Sequence, residues 1–255
     1  MPLELVTIPC RTDNYAFLIG DPETDEAALV DIPEAGPINA ALEARGWRLT
    51  TILITHHHAD HVEGLSGLSR AGDARVIGAA ADAHRLPALD LAVSEGDEVT
   101  ILGSTAVVIE VPGHTVGHIA FHMPREAWVF TADSLMALGC GRLFEGSATQ
   151  MWDSLSKLAA LPPDTLVCSG HEYTQANARF ALSVEPDNPD LMSRSAAIDA
   201  ARDKGTATVP SRLSDEIATN PFLRAARPDM AARLGLTGRA PADVFAELRA
   251  RKDAF

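Results

Sequence analysis

The sequence predicts an α/β domain of two sheets with helices outside, followed by a small all-helical domain. Three observations carry this. Short apolar, strand-like runs alternate with helically spaced segments over about the first 170 residues. From Tyr173 onward such runs nearly vanish, and helix-favouring segments are broken at Pro186, Pro189, Pro210, Pro221, Pro228 and Pro241. Charge changes at the same place: residues 1–172 carry 9 Lys+Arg against 24 Asp+Glu, a formal −15, whereas residues 173–255 carry 12 against 11, a formal +1. The two domains are therefore expected at 1–172 and 173–255.

Strands are expected at Leu5–Ile8, Tyr15–Ile19 and Ala28–Val30, separated by Gly20-Asp21-Pro22 and ended by Pro33. Pro37–Arg45 places Ile38, Ala41 and Leu42 on one helical face, with Gly46 as its stop. The β-branched run Thr51–Ile54 reads as a buried strand, Val62–Arg70 as a helix and Arg75–Ile77 as a strand. A second set of strands follows at Glu98–Leu102, Ala106–Val111, Ile119–Phe121 and Trp128–Phe130. Met151–Leu161 is helical, and Thr165–Cys168 closes the strands. In the tail, 173–183, 190–203, 228–235 and 241–252 favour helix.

With 255 residues, 46% hydrophobic and 22% charged, the chain can bury a substantial core. Its formal charge of −14 leaves no basic surplus to displace counterions, so a nucleic-acid partner is not expected. No apolar run is long enough to span a membrane, and Met1-Pro2-Leu3-Glu4-Leu5 lacks the pattern of a signal peptide; a cytoplasmic protein is expected. Nothing demands more than a monomer. Cys10, Cys140 and Cys168 are isolated and odd in number, which argues against a disulfide framework, and Cys168 reads as a small buried hydrophobe.

Function concentrates in Thr55-His56-His57-His58-Ala59-Asp60-His61, directly after a core strand. In an extended segment alternate side chains share a face, so His56 and His58 converge while His57 turns away. Asp60 and His61 begin a helix and face a second point nearby. Imidazole with carboxylate suits zinc, iron or manganese, whereas the competing reading is a polar loop facing water. Three more strands end on candidate ligands: His114 after Val107–Gly113, Asp133 after Trp128–Ala132 and His171 after Leu166–Gly170. Gly113 and Gly170 permit sharp turns at two of these ends. Seven donors result: His56, His58 and His114 for one metal, Asp60, His61 and His171 for another, and Asp133 able to bridge both. The count fits two divalent metals with room for a shared water. Asp31, at a strand end, reads either as an imidazole-orienting carboxylate or as a turn residue. His118 and His122 read as locally hydrogen-bonded, His84 as a surface residue, and His57 has no assigned role.

The T-H-x-H-x-D-H motif with His114, Asp133 and His171 resembles the metallo-β-lactamase superfamily over roughly residues 3–172. Asp13-Asn14-Tyr15, Pro112–His118, Gly139-Cys140-Gly141-Arg142, Gly170–Tyr173, Asn220–Arg224 and Arg249–Asp253 are similar to hydroxyacylglutathione hydrolase, or glyoxalase II, over nearly the whole chain. The resemblance implies a four-layer αββα fold with a C-terminal all-helical glutathione-binding domain. It implies a thiolesterase of methylglyoxal detoxification that splits S-D-lactoylglutathione into glutathione and D-lactate, with zinc expected in both metal sites and iron or manganese as alternatives. Asp60 and Asp133 would be the catalytic carboxylates beside a hydroxide held by the metals. Arg142, Phe144, Tyr173, Arg249 and Lys252 match the glutathione-contacting positions. Lys and Tyr are the family's commoner residues where Arg142 and Phe144 stand, so this chain keeps the charge but loses a hydroxyl.

A thioester suits such a site, because a thiolate of thiol pKa around 8.5 departs without a dedicated proton donor. Three rival readings compete with it. A persulfide dioxygenase-like oxidoreductase would hold a single iron at positions equivalent to His56, His114 and Asp133. Another metallo-β-lactamase-superfamily hydrolase leaves Arg249, Lys252 and the helical tail unexplained. A metal-holding scaffold has no support in a ligand set with open coordination.

Overall fold

The computed structural model of the chain describes residues 2–69 and 74–255. These form two compact units, one running up to Glu110 and including Val116–Thr131, the other comprising Val111–Thr115 and Ala132–Phe255.

In the first unit, β1 (Glu4–Cys10), β2 (Asn14–Asp21) and β3 (Glu26–Val30) pair antiparallel. Helix α1 (Ala35–Arg45) then carries the chain over to β4 (Arg48–Leu53), which lies parallel to β3, as a crossover connection requires. β5 (Arg75–Ala79) and β6 (Leu91–Val93) extend the sheet in parallel, giving the order β1-β2-β3-β4-β5-β6. The helix ends where expected, with Gly46 in the left-handed conformation (φ 69°) and its N–H bonded to Glu43 O at 3.1 Å. Ile38 and Leu42 of α1 join Leu18, Leu29 and Ile52 in one apolar core.

A second sheet begins in the same unit with the antiparallel meander β7 (Glu98–Ile101), β8 (Ser104–Glu110), β9 (Ile119–Met123) and β10 (Trp128–Ala132). Every residue of β9 and β10 is buried, so both faces of these strands are covered. Phe17 of β2 meets Phe130 of β10 with ring centroids 5.7 Å apart, edge to face, joining the two sheets.

Two expectations need correction here. The helix placed at Val62–Arg70 begins earlier, as α2 (Ala59–Val62), and gives way to a 3₁₀ turn at Glu63–Gly67. The tertiary bond from Gly64 N–H to Ile32 O, 3.0 Å, takes precedence over a continued α ladder. Arg70 lies outside the described residues. Strand β6 has no counterpart in the reading, because three residues between Asp90 and Ser94 are too short to show a period.

The second unit opens with a short hairpin, β11 (Leu135–Met136) and β12 (Gly139–Cys140). Helix α3 (Ala148–Ala159) starts on a capping box in which Ser147 Oγ accepts from Gln150 N–H and the Gln150 side chain accepts from Ser147 N–H. β13 (Leu166–Ser169) pairs with β14 (Ser211–Arg212). The tail is helical as expected, with α4 (Thr174–Val184), α5 (Pro189–Arg202), α7 (Pro228–Arg233) and α8 (Pro241–Ala254). Helix α6 (Leu213–Thr219) also lies here, in a polar stretch whose weak pattern concealed it. Arg224 and Glu185 form a buried, two-pronged ion pair at 2.8 and 2.7 Å between the α4 end and the segment after α6. No helix among the described residues is long and apolar enough to cross a membrane.

Candidate metal centre

The first unit supplies four of the expected ligands. His56 and His58 converge as alternation requires, with His56 Nε2 3.2 Å from His58 Nδ1. His57 turns away to Asp82, its Nδ1 3.2 Å from Oδ2. The tautomers of two candidate ligands follow from their partners. Asp31 Oδ1 accepts Thr55 N–H at 2.9 Å, and Oδ2 accepts the Thr55 hydroxyl at 2.8 Å and His61 Nδ1–H at 2.9 Å. Because the hydroxyl hydrogen of Thr55 goes to Asp31, its oxygen accepts from His56 Nδ1–H, 3.0 Å away. Both imidazoles thus keep their lone pair on Nε2, the atom a metal takes. Of the two readings of Asp31, the structure supports the orienting one. Asp60 is fixed from β2, where Asn14 Nδ2 donates to its Oδ2 (3.0 Å) and its carbonyl (3.1 Å).

The second unit supplies the other three. Asp133 follows Ala132, whose φ of 41° turns the chain sharply at the end of β10. Its buried Oδ2 lies 3.5 Å from His114 Nε2 and 3.3 Å from His171 Nε2. His114 Nδ1–H donates to Arg142 O at 2.8 Å, which again leaves the lone pair on Nε2. A carboxylate oxygen and an imidazole lone pair facing each other at this range repel unless a cation lies between them. The donor set therefore fits a divalent metal. Gly113 is required at its position: its φ is +148°, and a Cβ there would lie 2.7 Å from Met151 Cβ.

Aromatic side chains flank the imidazoles of the second unit. Tyr173 stacks on His171 at 4.7 Å and 7°, and Phe144 lies 5.2 Å from His114, both exposed on their outer faces. Arg142 is exposed. Lys252 is half-buried, its Nζ donating to Ala176 O (3.3 Å) and lying over the Phe180 and Phe255 rings. Burial, then the neighbouring Arg249, Arg179 and Arg142 charges, hold its pKa below the ordinary lysine value. Arg249 is only 5% exposed; it donates to Cys140 O (3.0 Å) and Asp253 Oδ1 (2.7 Å) and lies over Phe222.

Other expectations resolve simply. His84 is exposed. His118 bonds locally, its Nδ1 3.1 Å from Ile119 O, and also stacks on His56 at 4.6 Å and 12°. His122 is buried, its Nε2 has no hydrogen-bond partner among the described residues, and burial pushes its pKa down. None of the three cysteines is in a disulfide and all are buried, with the Cys10 and Cys140 thiols pushed up to about 11 by burial. Asn14, Thr55 and the Arg142 carbonyl have no role in the reading of the sequence. Asn14 and Thr55 each left a signal, in the Asp13-Asn14-Tyr15 and T-H-x-H-x-D-H motifs.

Comparison with known proteins fits this donor set. Residues 12–171 match the metallo-β-lactamase superfamily model, and the B3 metallo-β-lactamase BLEG-1 shares the fold at TM-score 0.67 and 20% identity, over 86% of this chain and 99% of that one. The chain is thus a divalent-metal-binding protein of the metallo-β-lactamase fold. Residues 172–255 match the hydroxyacylglutathione hydrolase C-terminus model. Proteins named hydroxyacylglutathione hydrolase from Ruegeria pomeroyi and from a Cereibacter sphaeroides strain are 65% and 64% identical to it, each over 255 residues and the whole of both chains. The chain belongs to the hydroxyacylglutathione hydrolase (glyoxalase II) family.

Proposed function

We propose that the protein hydrolyses the thioester of S-(2-hydroxyacyl)glutathione, releasing glutathione and a 2-hydroxy acid, with S-D-lactoylglutathione and D-lactate as the representative pair. Family membership over the full length supports this reading, and the single geometric observation behind it is the buried Asp133 carboxylate directed at both His114 and His171. We assign His56, His58 and His114 to one metal, Asp60, His61 and His171 to the other, and Asp133 to both, with zinc in each. A bound divalent metal lowers the pKa of a coordinated water from about 15.7 to about 7 and polarises an acyl oxygen.

The chain's own residues set the conditions for that chemistry. Asp31 and Thr55 hold His61 and His56 in the tautomer that presents Nε2, and the Arg142 carbonyl does the same for His114. Asn14 fixes the Asp60 carboxylate. Phe144 and Tyr173 offer apolar faces beside the ligand imidazoles, which suits the acyl and sulfur portion of a thioester. Arg142 and Lys252 supply positive charge for the glutathione carboxylates, and Arg249, largely committed to Cys140 and Asp253, adds to the field and to the order of that surface. The leaving thiolate needs no proton donor. Residues 1–172 form the catalytic part and 173–255 the glutathione-binding part of a cytoplasmic monomer that binds neither nucleic acid nor membrane. The test is loss of S-D-lactoylglutathione thioester absorbance by the purified protein; a protein that leaves this substrate intact at full metal loading contradicts the proposal.

A further inference from the structure

The hairpin after Asp133 is held from outside by side chains of three helical segments. Asn220 Nδ2 donates to Met136 O (3.1 Å) and Gly139 O (3.0 Å), and Asn177 Nδ2 of α4 donates to Ala137 O (3.0 Å). Glu216 Oε2 of α6 accepts from Leu138 N–H (2.8 Å), and Arg249 Nη1 of α8 donates to Cys140 O (3.0 Å). Every residue from Met136 to Cys140 therefore has a backbone group fixed by a side chain distant in sequence. The clamps are themselves fixed: Glu216 accepts from Ser211 Oγ (2.6 Å), Asn220 Nδ2 (3.1 Å) and Arg194, and both Glu216 and Asn220 are 0% exposed. Two strands of two residues each do not hold a conformation alone, least of all with Leu138 at φ 55°. The shape of the hairpin is imposed by these polar side chains.

Both ends of the hairpin reach the ligand residues of this unit. Gly141 N–H closes it by donating to Ser134 O at 3.0 Å, next to Asp133. The following residue, Arg142, carries the carbonyl that receives His114 Nδ1–H. Gly141 is packed so tightly that a Cβ there would lie 1.9 Å from Asp133 O and 3.0 Å from His114 Nδ1. A displacement of the hairpin thus moves the Asp133 backbone and the acceptor that orients His114 together.

We propose that Asn177, Asn220 and Glu216 are positioning residues for the metal ligands Asp133 and His114, acting through the 135–140 hairpin. The inference rests on the assignment of those two residues as ligands. It gives Asn220, in the Asn220–Arg224 motif, a role in metal binding that its distance along the chain from every ligand does not suggest. Partners that orient ligating side chains typically contribute about 10- to 100-fold in metal affinity, which sets the expected effect.

The test is a zinc titration of the metal-stripped full-length protein in competition with a chromophoric chelator. Asn177→Ala removes one clamp, and Asn220→Ala removes two; each is expected to weaken zinc binding about tenfold or more and to alter the cobalt(II) absorption spectrum. Met230→Ala is the control for stability, since it opens a cavity at a buried residue of α7 that belongs neither to the hairpin nor to its clamps, and it is expected to keep wild-type zinc affinity. Wild-type affinity in Asn177→Ala overturns the proposal, as does an equal loss in Met230→Ala; if Asn220→Ala does not fold, Asn177→Ala decides alone. The titration contains no thioester, so its outcome is independent of whether the wild-type protein hydrolyses S-D-lactoylglutathione.

Discussion

Asp31→Asn tests how ligand tautomers are set. The carboxylate accepts three hydrogens, one on Oδ1 from Thr55 N–H and two on Oδ2 from the Thr55 hydroxyl and His61 Nδ1–H. An isosteric amide offers one acceptor and one NH₂ group, so one side must set donor against donor. With NH₂ in place of Oδ2, His61 is driven to the tautomer that protonates Nε2, and Thr55 is released to donate to His56 Nδ1, which drives His56 the same way. With NH₂ in place of Oδ1, the buried Thr55 N–H loses its acceptor, costing about 1–3 kcal/mol. Loss of such an orienting partner weakens metal binding about 10- to 100-fold, equivalent to about 1.4–2.7 kcal/mol. The assay is zinc titration of the stripped protein, with thermal unfolding to register the stability cost. One of the two orientations must be adopted, so wild-type zinc affinity together with wild-type thermal stability in Asp31→Asn refutes the tautomer reasoning.

Asp133→Ala removes the carboxylate directed at both His114 and His171; turnover is expected to be abolished and metal content to fall by one or both ions, as metal analysis of the purified variant will show. Lys252→Ala is expected to raise the Michaelis constant severalfold with little change in kcat, and an unchanged constant speaks against a glutathione contact. Because the Lys252 pKa is lowered, its charge is lost at a lower pH than for an ordinary lysine, so the wild-type Michaelis constant should start to climb below pH 10.5. The stability sign is opposite: the unfolded chain binds more protons at this group, so its contribution to stability rises with pH between the folded and unfolded pKa values. Glu185→Ala strands the buried Arg224 charge and is expected to cost about 3–5 kcal/mol of stability, seen as a lower Tm by circular dichroism, with zinc affinity retained in the folded protein.

The candidate metal ligands were legible because they crowd a few strand ends: His56, His58, Asp60 and His61 follow one core strand, while His114, Asp133 and His171 each terminate an apolar run. Period-2 alternation was enough to separate His57 from its neighbours. The groups that hold these ligands were harder to read, for two physical reasons. Asn14 meets Asp60 across 46 residues and Asn220 meets Met136 across 84, distances that no local pattern spans. The Arg142 carbonyl carries no residue identity at all. Arg249 and Lys252 show a third limit: spacing on a terminal helix treats them alike, yet one guanidinium is buried on Cys140 O and Asp253 whereas the ammonium is half-exposed over two rings. Short elements escaped for the same reason, since β6, β11, β12 and β14 are too brief to display a period and are held by their surroundings.

The central claim, two metals serving one thioester hydrolysis, is tested most directly by metal analysis of the purified protein run alongside an S-D-lactoylglutathione assay with an oxygen electrode in the same cell. Two divalent ions per chain, thioester loss matched by free thiol, and no oxygen uptake are the predicted result. A single iron per chain with oxygen consumption, or full metal loading without thiol release, contradicts it.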